Sequence, residues 1–110
     1  MAMKKLPYRA RTQTGDIFDI EFPLHEDTGD AVRVGQLISI ILESIDRDLG
    51  VGGDMNNGDV LQSLAMVMAI RTGMIYAPRD MTGKLAKDLL AEALEAFSRS
   101  NHSAPQSGHA

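Results

Sequence analysis

Residues 60–70 read VLQSLAMVMAI, and only Gln62 and Ser63 in that run are polar. A helix formed there is apolar almost all round, so it is stable only where most of its sides are covered. That demand governs what a chain of 110 residues can become. A domain near this size buries roughly 60–70% of the surface its unfolded chain exposes, enough for a single core. The rest of the chain is short of elements to wrap a central helix. The helix is therefore expected at the middle of the fold or against a second subunit. Leu61, Leu64, Met66, Val67, Met68 and Ile70 are the interface residues this implies. Met66, Met68, Met74 and Met81 lie in or beside it, and methionine adapts to irregular or shared surfaces as well as to ordinary cores.

The N-terminal segment reads as a β-hairpin whose register can be argued. Gly15 suits the left-handed third position of a three-residue loop, Gln13-Thr14-Gly15, closed by Thr12 opposite Asp16. Ala10 then faces Phe18, Tyr8 faces Ile20 and Arg9 faces Asp19. One side of the ribbon carries Leu6, Tyr8, Ala10, Phe18, Ile20 and Phe22; the other carries Arg9, Arg11, Asp19 and Glu21. A two-residue loop would shift the pairing by one and set Arg11 against Phe18. Pro23 ends the second strand because it cannot donate to a ladder.

Three helices are expected after it. Asp30 is a fitting N-cap for the first, whose apolar positions Val34, Leu37, Ile38, Ile41, Leu42, Ile45 and Leu49 recur at steps of three and four. Gly50 is the expected stop, as a left-handed residue past the helix end. The second helix is the apolar one, started by Asn57 or Asp59 and ending at Gly73 or at Tyr76, with Pro78 stopping it in either case. Thr82 is the expected cap of the third, with a stripe from Leu85 to Phe97. The fold class is α+β, a two-stranded antiparallel hairpin packed on three helices (ββααα). Residues 1–98 read as one domain and 99–110 as a disordered C-terminal tail with few apolar side chains.

The stretch GVGGDMNNGD, residues 50–59, has the glycine spacing of a phosphate-binding loop, Gly53 to Gly58. Asp59 and Val60 stand where such a loop needs lysine and a hydroxyl, and a carboxylate there repels phosphate. Counted as a calcium loop from Asp48, it puts Gly50 and Gly52 at two positions that need side-chain oxygens. The stretch is read as a helix stop, a reversal and a helix start, with Asp54 and Asn56 left without a role.

No cysteine is present, which removes disulfides and thiolate chemistry. The net charge of −4 argues against general electrostatic grip on nucleic acid or an anionic membrane. The basic segment Lys4–Arg11 is expected to be partly neutralised by the acidic strand beside it. No signal-like or membrane-spanning run is evident, and the expected location is the cytoplasm. No catalytic constellation, metal site or cofactor is expected: His25-Glu26-Asp27 is one histidine with two acids in a loop. The leading functional expectation is a small non-enzymatic protein-interaction or regulatory module, partnered with itself as a homodimer or with another protein. The alternative is a small-ligand-binding or enzyme-subunit domain with a polar pocket drawing on Arg71, Tyr76, His25 and Asp54.

Overall fold

The computed structural model describes residues 4–53 and 55–105. Its elements run β1 (Lys5–Arg11), β2 (Ile17–Pro23), α1 (Ala31–Gly52), α2 (Asn57–Gly73), α3 (Arg79–Ser98) and β3 (Asn101–Ser103). The α+β class and the order of hairpin and three helices are as the residue pattern requires. The chain forms two compact units, Met1–Gly35 with Leu89–Ala110, and Gln36–Asp88.

The first unit holds the sheet. β1 and β2 pair antiparallel with Ala10 opposite Phe18, Tyr8 opposite Ile20 and Arg9 opposite Asp19. The loop is the three-residue one: the Thr12 amide donates to the Asp16 carbonyl at 2.9 Å, and Gly15 sits at φ 91°. Alternate burial follows from the pleat. Leu6, Tyr8 and Ala10 are half-buried while Lys5, Arg9 and Arg11 are exposed, and Ile20 is buried. On the polar side Arg9 Nε donates to Asp19 Oδ1 at 2.8 Å, and Lys5 lies 3.8 Å from Glu21. Lys4 Nζ donates to the carbonyls of Glu26 and Thr28, tying down the connection to α1. Lys5 and Arg9 are thus paired within the hairpin, and Lys4 with the connection that follows it.

The segment expected to be a disordered tail from residue 99 instead supplies a third strand. β3 pairs antiparallel with β2, Ile17 opposite Ser103 and Asp19 opposite Asn101. Its attachment comes from contacts far along the chain, which local composition does not register. Phe18 makes one of them: its ring stacks on that of His102, with centroids 4.6 Å apart, and Phe97 of α3 lies 5.0 Å from the same ring. Residues 106–110 lie outside the described residues.

Helix ends differ from expectation in instructive ways. Asp30 caps α1 as expected, its Oδ1 accepting from the Arg33 amide at 3.1 Å. The helix passes through Gly50 and stops at Gly52, with Gly53 in the left-handed region at φ 89°. A helical glycine costs only about 1 kcal/mol relative to alanine, so the chain tolerates one and turns at the next suitable position. The cap of α2 falls one residue before Asn57 and three before Asp59, the two expected caps. Asn56 is extended, and its Oδ1 accepts from the Gly58 amide at 2.7 Å, so a residue without an assigned role turns out to be the cap. α2 ends at Gly73 without a left-handed residue; the Met74 amide instead donates back to the carbonyls of Ile70 and Arg71. α3 starts at Arg79, three residues before Thr82. The Pro78 carbonyl accepts from the amides of Met81 and Thr82, and Asp80 lies in the first turn where the helix dipole favours a carboxylate. Thr82 is a buried interior residue, its hydroxyl 3.3 Å from the Arg79 carbonyl.

Candidate functional site

The second unit, Gln36–Asp88, contains an apolar groove of about 680 Å³ between α1 and α2. From α1 it takes Ile40, Ile41, Ser44, Ile45, Asp48 and Leu49. From α2 it takes Val60, Ser63, Leu64, Val67, Met68 and Arg71, with Met55 at the connection. These positions recur at three and four residues along each helix, so each contributes one continuous stripe. The Ser63 hydroxyl donates to the Asp59 carbonyl at 2.9 Å, so its polarity is met within α2. The charged members are one acid, Asp48, and one base, Arg71.

Of the six interface candidates, Leu64, Val67 and Met68 line this groove. Leu61, Met66 and Ile70 point elsewhere on α2, and their exposures are 69%, 56% and 63%. Val67 is 55% exposed even within the groove. α2 has no buried residue, and neither has α1. The all-round apolarity of the sequence therefore persists in the fold as apolar surface open to solvent.

The four residues considered for a polar pocket have separate settings. Arg71 lines the apolar groove, and its Nη1 lies 3.5 Å from Met74 Sδ. Tyr76 is fully exposed and is not among the groove's lining residues. His25 is in the turn between β2 and α1, where Nδ1 accepts from the Asp27 amide at 3.1 Å. That bond orients the ring within its own turn. Asp54 lies outside the described residues.

A cluster in the first unit was not legible from sequence. His102 Nε2 is 2.8 Å from Asp16 Oδ1, and Thr14 Oγ1 donates to Asp16 Oδ2 at 2.9 Å. Bonding first to His102 and then to Thr14 holds the Asp16 carboxyl below its ordinary range. A second hollow in that unit, about 500 Å³, is bordered by Lys5, Asp19, Glu21 and Arg99. Its charges are matched locally: Lys5 with Glu21, Asp19 with Arg9, and Arg99 with Glu95 at 3.4 Å.

Among the described residues no group of three or more His, Asp or Glu side chains is placed to hold a metal ion, and no helix is long and apolar enough to cross a membrane. No family model, curated protein or solved structure matches the chain.

Proposed function

We propose that the chain is a non-enzymatic protein-interaction or regulatory module that works as a homodimer, joined through the apolar α2 region. The observation that carries this reading is the exposure of large apolar side chains on more than one face of α2. Soluble monomers rarely expose contiguous apolar patches beyond a few hundred Å².

Sedimentation equilibrium or light scattering at micromolar concentration tests the proposal. A dimer mass is expected; a stable monomer removes the reading.

A further inference from the structure

We infer that the α1–α2 groove is filled by the same groove of a second copy of this chain, set antiparallel across a two-fold axis, so that Asp48 of each protomer pairs with Arg71 of the other. This rests on the homodimer reading and specifies the surface and the contacts.

α1 and α2 are joined by a short connection, residues 53–56. Asp48 is near that connection, about 6 Å along the helix from Gly52, and Arg71 is remote from it, about 21 Å along the helix from Asn57, at 1.5 Å rise per residue. They stand toward opposite ends of one groove, separated along it by roughly 15 Å on the same rise. That is beyond the reach of an ion pair within the chain. Among the described residues neither takes part in one.

Between the two charges the groove is almost wholly apolar. An occupant must therefore bring a matching apolar face, with a base to meet Asp48 and an acid to meet Arg71. The groove itself has that pattern. In a two-fold interface residue i meets residue j and j meets i, so a surface must complement itself when turned end for end. An acid toward one end and a base toward the other satisfies this, and gives two ion pairs per dimer. The same groove docked in parallel would set like charges together, which the low dielectric of an interface penalises. The charges thus select the antiparallel arrangement, and the Leu64–Val67–Met68 stripe supplies its apolar centre.

The test is charge reversal on the full chain, followed by sedimentation equilibrium. Arg71→Asp alone and Asp48→Arg alone each create two like-charged pairs in the homodimer, and each is expected to weaken self-association by roughly tenfold or more. An equimolar mixture of the two variants restores opposite charges at both contacts, so heterodimers of near wild-type affinity are expected. The chain carrying both substitutions is expected to recover as well. Far-ultraviolet circular dichroism of each variant checks that the helices remain. A wild-type dimer whose affinity neither single reversal changes overturns the inference and leaves the homodimer reading standing. Single variants that weaken without rescue in the mixture overturn it too. A wild-type monomer overturns both.

Discussion

His102 Nε2 lies 2.8 Å from Asp16 Oδ1, across 86 residues of chain, while the His102 ring stacks on Phe18 at 4.6 Å. These two contacts add to the antiparallel pairing of a three-residue strand with β2. The first prediction concerns how that attachment responds to pH. Asp16 has a lowered carboxyl pKa in the folded state, so its contribution is present above the unfolded value and is lost as pH falls through the folded one. Below about pH 4, the ordinary aspartate range, β3 is expected to loosen before the β1–β2 hairpin does. Amide protection at Asn101–Ser103 measured against pH checks this. His102→Ala is expected to reduce that protection already at neutral pH, and unchanged protection in the variant would refute the latch.

Gly50 and Gly53 should respond to alanine with opposite signs. Gly53 has φ 89°, where a Cβ meets the following carbonyl, so Gly53→Ala is expected to cost about 1–2 kcal/mol. Gly50 lies inside α1, and no described atom stands within 4 Å of an added Cβ. Gly50→Ala is expected to stabilise by about 0.5–1 kcal/mol, through better helix propensity. Urea midpoints at one fixed protein concentration measure both. If Gly50→Ala destabilised and Gly53→Ala did not, the helix would end at the earlier glycine.

Asn56 gives a third test, because its side chain accepts the Gly58 amide at 2.7 Å as the cap of α2. Asn56→Ala is expected to cost about 1 kcal/mol, and Asn56→Ser to retain most of the stability, since serine caps nearly as well. Equal loss in the two variants would mean that the side chain acts through something other than capping.

Those two stretches show where local sequence suffices and where it does not. The hairpin register was legible because the constraints coincide at Gly15: one left-handed position, one loop length and one alternation that keeps Arg11 away from Phe18. In residues 50–59, four glycines and two asparagines all suit a stop or a start, so local preference leaves several solutions. Contacts elsewhere in the chain choose among them. β3 was not legible at all, since Asn101-His102-Ser103 has little strand character and is placed by Asp16 and Phe18. For α2 the all-round apolarity was plain. Which stripe lines the groove depends on the rotation of α2 against α1, which no periodicity within α2 can set.

The last prediction compares two neighbours on α2. Met66 and Val67 are nearly equal in exposure, 56% and 55%, but Val67 lines the groove and Met66 does not. In a monomer, replacing either by glutamine would matter little, because each side chain already meets water. In a dimer closed groove to groove, Val67 is buried in both protomers and its substitution counts twice. Burying the exposed half of a valine contributes about 1 kcal/mol, so two of them make Val67→Gln worth about thirtyfold in dimer affinity. Met66→Gln is expected to change it by less than about tenfold, since it lies about 100° further round the helix. The wild-type melting temperature is expected to rise with protein concentration, and Val67→Gln to flatten that dependence while Met66→Gln preserves it. Equal effects of the two substitutions would place the contact on a different face of α2, and the absence of any effect would mean that α2 is not the contact.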